Sequence, residues 1–235
     1  SWRNKRILYK GIRLRLNNIA MKSYVITILD NPRSVQVANR CISSGKKFGI
    51  DIEKFSAVTP KTHDPVQYAE SLDIPTNGFK EIYSRYENCL SAFLSHYLLW
   101  EKCVNLNEPV LILEHDAVIV NNIPVFAGFK HLLNLGEPSY GKAKQPMTLG
   151  VGPLTSKQYL PGAHGYMLKP SGAKMLMDRA QLTAMPTDVF INKTNFPWLE
   201  EYYPWPVKAV DSFTTIQNKH GCAAKHNYGE TYDII

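Results

Sequence analysis

The stretch that most constrains the fold is Pro109 to Val120, PVLILEHDAVIV, where an apolar run delivers Glu114, His115 and Asp116 and then turns apolar again. Unbroken apolar character over Val110 to Leu113 suits a central parallel strand buried on both faces, and the two-residue period puts Glu114 and Asp116 on one side of the chain. In open α/β sheets, ligands gather just beyond such strand ends. Two carboxylates so placed suit a hard divalent cation and the phosphates it carries. The competing reading is a solvated strand end followed by a turn, since short acidic motifs recur by chance.

The chain before this stretch reads as alternating strands and helices. Tyr24 to Leu29, YVITIL, is β-branched and apolar and predicts a first strand, which runs into the polar turn Asp30, Asn31, Pro32 and Arg33. Val35, Ala38, Cys41 and Ile42 carry a helical stripe ending near Gly45 or Gly49, and Phe55 to Val58 predicts a second strand. Residues 59–85 read as a surface excursion with one short helix near Val66 to Leu72. Leu90, Phe93, Leu94, Tyr97 and Leu98 then repeat at helical spacing and lead directly into the acidic strand. Beyond it, the pattern predicts a helix from about Val125 to Leu133, strands at Met147 to Val151 and Gly165 to Leu168, and a helix over Ser171 to Arg179. Pro186 then introduces Thr187, Asp188, Val189 and Phe190. The aromatics Trp198, Tyr202, Tyr203, Trp205 and Phe213 follow without a period, which suggests a lining or lid, with core packing as the commoner use.

Charge points to an anionic partner. The net charge is +7, and Ser1 to Lys22 holds Arg3, Lys5, Arg6, Lys10, Arg13, Arg15 and Lys22 without one acid, so this segment supplies the whole excess. It reads as a solvated basic arm over 1–22, with docking on a polyanion such as DNA or an anionic membrane as the alternative, ahead of one globular unit over 23–235. Cys41, Cys89, Cys103 and Cys222 form no CxxC pair, which argues against a zinc knuckle or a disulfide framework and favours a reducing compartment. No apolar run is long enough for a transmembrane segment and no signal-peptide pattern occurs, so the expected location is cytoplasmic.

Several landmarks, in order, resemble the lipooligosaccharide and collagen-type galactosyltransferases of glycosyltransferase family 25. YVITILDNPRS is similar to that family's opening strand and turn, LSAFLSHYLLWEKC to its Leu-Ser-His helix, and PVLILEHDAVIV to its acidic strand. GAHGYMLKPSGAKML resembles the Gly-x-His-x-Tyr strand and helix, and MPTDVFI the Pro-x-Asp segment beyond it. The resemblance implies a GT-A-like α/β fold, with a Rossmann-like nucleotide-binding half on a central, mostly parallel sheet and a smaller acceptor-binding part. It also implies an inverting glycosyltransferase that moves a hexose from UDP-galactose or UDP-glucose to an acceptor hydroxyl with Mn2+ or Mg2+, as in lipopolysaccharide biosynthesis.

On that resemblance Glu114 and Asp116 are the outer members of a DxD-like motif, with Asp116 the direct metal ligand and Glu114 on the ribose or a metal-bound water. Two departures stand out. His115 occupies a position usually acidic in the family, removing one negative charge, and Ser91 and Ala92 replace a common Gly-Cys pair. Inversion requires a base for the acceptor hydroxyl, and Asp188 is the candidate, with a helix cap as the alternative. His164, among Gly162, Ala163 and Gly165, is a donor contact or a hydrogen-bonded buried histidine. His96 is a core histidine or a donor contact. Asp30 and Arg33 face the nucleotide, and His220 or His226 supplies a third metal ligand. Two other classes compete: a nucleic-acid-associated protein, including a transferase acting on modified DNA bases, and a family member that binds donor without transfer.

Overall fold

The computed structural model describes residues 21–80, 84–210, 213–218 and 233–234. The basic arm, apart from Met21 and Lys22, lies outside these residues, as do His220, His226 and Cys222. The first strand, β1 (Lys22–Thr27), passes through a turn into helix α1 (Pro32–Lys46). Asn31 caps that helix, its side chain accepting from the amides of Arg33 and Ser34, and Pro32 opens the first turn where its missing N–H costs nothing. Strand β2 (Glu53–Ser56) returns parallel to β1. The excursion that follows contains the expected short helix, α2 (Pro65–Ser71), and a single 3-10 turn at Asn77–Phe79.

Helix α3 (Tyr86–Leu106) buries Leu90, Phe93, Leu94, Tyr97 and Trp100 and ends on Asn107 at φ 53°, whose amide caps Cys103 and Val104. The chain then enters β3 (Val110–Glu114), parallel to β1. Val110 to Leu113 are fully buried. Val110 and Ile112 join the core shared with α3, and Leu111 and Leu113 the core shared with α1. Strand alternation thus sends successive side chains to opposite faces, each side chain stabilising the fold by about 1.5–3 kcal/mol.

The remaining strands are β4 (Ala117–Ile119), β5 (Leu132–Asn134), β6 (Gly150–Pro153), β7 (Gly165–Leu168), β8 (Glu200–Tyr203), β9 (Val207–Ala209), β10 (Phe213–Thr214) and β11 (Asp233–Ile234). Helix α4 (Pro170–Ala180) follows β7, and α5 (Thr187–Phe190) is one turn long. The main sheet has the order β2-β1-β3-β7-β5-β8-β6. Strands β1, β2, β3, β5 and β8 run one way and β6 and β7 the other. This is the expected α/β architecture: a Rossmann-like half with a helix on each face, continued by a mixed half. Among the described residues no helix is long and apolar enough to cross a membrane.

Three expectations are corrected. Residues 125–133 form no helix, because Pro124 and Gly128 interrupt the segment and Leu132 and Leu133 are buried in β5 between β7 and β8. The strand alternation expected over Glu114 to Asp116 stops at Glu114: a turn at His115 and Asp116 diverts the apolar residues after it into β4, antiparallel to β9 in a separate small sheet. The aromatic C-terminal region is largely packed rather than a lid, Trp198 lying edge-on to His131 and Tyr203 to Trp205, with β8 and β9 running through it.

Strand β8 also carries Glu201, which is 1% exposed. Its Oε1 accepts from the Thr155 amide at 2.7 Å, the Thr155 hydroxyl at 3.1 Å and the Ser156 amide at 2.9 Å. Its Oε2 accepts from the Ser156 hydroxyl at 2.6 Å and Trp205 Nε1 at 3.3 Å. This carboxylate fastens the loop after β6, which delivers Lys157 and Tyr159 to the large cleft described below. Glu201→Ala strands those donors, each at about 1–3 kcal/mol if no water replaces the carboxylate. The variant should lose at least about 2 kcal/mol in chemical denaturation; unchanged stability would contradict the role given to Glu201.

Candidate active site

The acidic end of β3 forms a wall common to two adjoining cavities. The first, about 370 Å³, is lined by Asp30, Asn31, Thr59, Lys61 and Asn88 on its polar side and by Ile26, Ala57, Val58 and Phe213 on its apolar side. The second, about 520 Å³, is lined by Asp188, His164, Lys157, Tyr159 and Ser139. Glu114 and Asp116 border both, as do Tyr140 and Thr214. The cavities therefore meet at two carboxylates held at the end of a buried strand.

Each member of the triplet is fixed differently. Glu114 Oε1 lies 3.1 Å from His96 Nε2. Burial pushes its carboxyl upward, but the hydrogen bond from His96 and the electrostatic contributions of His96, His164 and His115 together outweigh that and hold Glu114 below the usual carboxylate range, hence ionised. His115 Nδ1 lies 2.6 Å from Ser34 Oγ, and that oxygen accepts from the Ile28 amide at 2.9 Å. The serine hydrogen is therefore free to point at His115 Nδ1, which fits burial drawing the imidazole down to about 4 and leaving it neutral. Its ring also meets Phe213 edge-on at 5.5 Å. Asp116 is half-buried, and its backbone carbonyl accepts from the Val210 amide at 2.9 Å, which ties the turn to the end of β9.

In the second cavity, Asp188 sits in the first turn of α5, whose cap position is Pro186, and accepts from the Val189 amide at 3.0 Å. Burial, and next the negative charge of Glu114, raise its carboxyl to about 6, against smaller opposing pulls from the Val189 and Asp188 amides and then Lys157. Lys157 donates to the Tyr140 carbonyl and lies over the Tyr159 ring. His164 is 2% exposed, and no hydrogen bond reaches its Nε2 among the described residues. Burial draws it down to about 4, so it is neutral near pH 7. A Cβ on Gly136 or Gly162 would come within 2.5 Å of its ring nitrogens. The small residues noted around His164 thus make room for the imidazole itself.

Of the residues singled out from sequence, Glu114, Asp116, Asp30 and His96 meet at the first cavity, and His164 and Asp188 at the second. Asp30 is exposed, with Lys61 Nζ at 3.5 Å. His96 is 1% exposed, so it is a core histidine that touches the site through Glu114. Arg33 does not line either cavity: it pairs with Asp233 at 3.0 Å and stacks 4.5 Å over Phe213, backing the aromatic wall. Ser91 and Ala92, the departures on α3, line the first cavity. Sequence reasoning passed over Lys61, Asn88, Tyr140 and Lys157. Polar residues beside a Pro in 59–85 were a usable hint for Lys61, whereas nothing local marks Lys157.

A divalent cation can be tested against these side chains. Glu114 and Asp116 offer carboxylate oxygens to both cavities, and among the described residues no group of three or more His, Cys, Asp and Glu forms a closed cage. This fits an ion held by one or two carboxylates with substrate phosphate and water completing the shell, the habit of Mg2+.

Comparison with known proteins bears on this site. The description Glycosyltransferase family 25 (LPS biosynthesis protein) matches residues 20–132, which include β1, α3 and the acidic end of β3. A protein of Aedes aegypti, "Glycosyltransferase 25 family member", is 24% identical over 200 residues, covering 75% of this chain. The chain spans only about a third, 32%, of that relative's length. Two solved structures are similar at low level. One is a Drosophila beta-1,4-galactosyltransferase 7 mutant complexed with manganese, UDP-Gal and xylobiose (7% identity, TM-score 0.37, covering 74% of this chain and 68% of that one). The other is apo mouse xyloside xylosyltransferase 1 (12% identity, TM-score 0.39, 81% and 85%). Neither score establishes a common fold. The chain is thus similar to glycosyltransferase family 25 over residues 20–132, and the insect relative carries that family's name.

Proposed function

We propose that the chain is an inverting glycosyltransferase, comprising a domain over 23–235 and a basic arm over 1–22, that moves a hexose from UDP-galactose or UDP-glucose to an acceptor hydroxyl. The observation that carries this reading is the pair Glu114 and Asp116 on the common wall of two cavities, with Asp188 facing the second. The first cavity takes the nucleotide: its apolar side suits a base and ribose, and Asn31, Lys61 and Asn88 offer polar contacts. The second takes the sugar and the acceptor.

Asp116 would hold a divalent ion directly, and Glu114 would meet the ribose or the hydration shell beside it. Mn2+ or Mg2+, when bound, neutralises charge on the departing diphosphate. Asp188 takes the proton of the acceptor hydroxyl. As the new bond from that oxygen to the anomeric carbon forms, the bond to the diphosphate breaks on the opposite face, and the diphosphate leaves with the electron pair. The raised position of Asp188 suits this work, since a base near neutrality is strong enough to accept the proton yet ionised in use.

Thermal melting with a panel of nucleotide sugars and Mn2+ tests donor binding by mass action. A uridine diphosphate sugar should raise the melting temperature in the parent and fail to do so in Asp116→Ala. Equal stabilisation of both would remove Asp116 from the site. Stabilisation without turnover on any acceptor would favour a donor-binding, inactive family member.

The pH profile tests Asp188. Its folded pKa is raised, so the carboxyl is protonated below about 6 and becomes a base as the pH rises through that value. kcat/KM should climb through an acid limb near pH 6, and Asp188→Asn should lose about 100-fold or more in rate together with that limb. By the same sign, stability falls as the pH rises from the ordinary 3.8 to about 6, where folded Asp188 still holds a proton that the unfolded chain has lost, and this contribution is level above about 6; the Asn variant should lack that slope. A flat profile in the parent would remove Asp188 from the role of base.

A further inference from the structure

We infer that Trp100, Tyr166 and His96 form a positioning relay that holds Glu114 Oε1 and presents Oε2 to the donor, which rests on the donor-site reading of the first cavity. The relay crosses three elements: Trp100 and His96 are one turn apart on α3, Tyr166 is on β7, and Glu114 ends β3, next to β7 in the sheet. Trp100 and Tyr166 are 0% exposed and His96 1%, so water has no part in the chain of contacts.

The direction of every link follows from what each group can do. An indole nitrogen only donates, so Trp100 Nε1 gives its hydrogen to Tyr166 Oη at 2.9 Å. The Tyr166 hydroxyl keeps its own hydrogen, since burial holds its pKa far above the usual range. Its other contact is His96 Nδ1 at 2.9 Å, so it donates there. A ring nitrogen that accepts carries no hydrogen, which places the His96 hydrogen on Nε2, 3.1 Å from Glu114 Oε1. The tyrosine thus selects the histidine tautomer, and the histidine anchors one carboxylate oxygen. Among the described residues no hydrogen bond reaches Glu114 Oε2.

The stack of His96 on Tyr166, 5.8 Å between centroids at 19°, adds a second restraint on the imidazole plane. Partners behind a binding carboxylate matter because they fix its orientation before the ligand arrives, and in metal sites losing one such partner typically costs about 10–100-fold in affinity or activity. Tyr166 and Trp100 touch no cavity-lining oxygen themselves, so they act through His96.

The test uses the full chain, labelled with 15N at histidine. In the parent, imidazole 15N shifts should report a His96 hydrogen on Nε2. Tyr166→Phe, which removes one oxygen, should redistribute it between the two nitrogens and weaken Mn2+-dependent UDP binding by about 10-fold in calorimetry. His96→Gln, whose amide can donate where Nε2 did, should retain most of the affinity that His96→Leu loses, and this pair carries the test should Tyr166→Phe not fold. A tautomer unchanged in Tyr166→Phe, or equal binding by the Gln and Leu variants, would overturn the relay. Should the parent bind no uridine nucleotide, the donor-site reading fails on its own, and the tautomer alone decides the relay.

Discussion

The contact on which the site depends is the hydrogen bond between His96 and Glu114. Strand β3 must be apolar to lie between two cores, and a strand buried on both faces brings whatever follows it to the sheet's edge with little slack. Glu114 is the first residue past that limit. Ionising it there costs desolvation, and the donor that does most to offset the cost comes from α3, the helix that precedes the strand in sequence and packs beside it. Helix, strand and carboxylate are therefore one mechanical unit: α3 packs on β3 through Val110 and Ile112 and reaches its last residue through His96.

The charge on Glu114 acts beyond its own contacts. It helps raise Asp188 in the second cavity, so the carboxylates of the two cavities are electrostatically joined. His115 fits the same picture. Its neutral ring adds no charge between two acids and ties the turn to Ser34 at the start of α1, exchanging a third carboxylate for a link between β3 and the first strand-to-helix turn.

What sequence made legible follows from range of interaction. Helices α1 and α3 and strand β3 were readable because their apolar period extends over many residues and depends on little else. Leu132 and Leu133 of β5 were mistaken for part of a helix, since what makes them a strand is pairing with β7 and β8. Strands β8 and β9 were hidden for the same reason. At the cavities, Glu114, Asp116, Asp188, His96 and His164 had been singled out from short motifs, but their connections to one another had not. The Tyr166 to His96 bond spans 70 positions and the Glu201 clasp on Thr155 spans 46, distances over which a linear pattern carries no signal. Arg33 was expected at the nucleotide but lines neither cavity, and its partners, Phe213 and Asp233, come from the far end of the chain.

The central claim is that the acidic end of β3 divides a nucleotide cavity from an acceptor cavity. A crystal structure with UDP and Mn2+ tests it most directly. The account predicts the metal bonded to an oxygen of Asp116, the diphosphate beside it, and the uracil in the cavity lined by Ala57, Thr59 and Asn88. UDP bound with its diphosphate away from both Glu114 and Asp116 would contradict it.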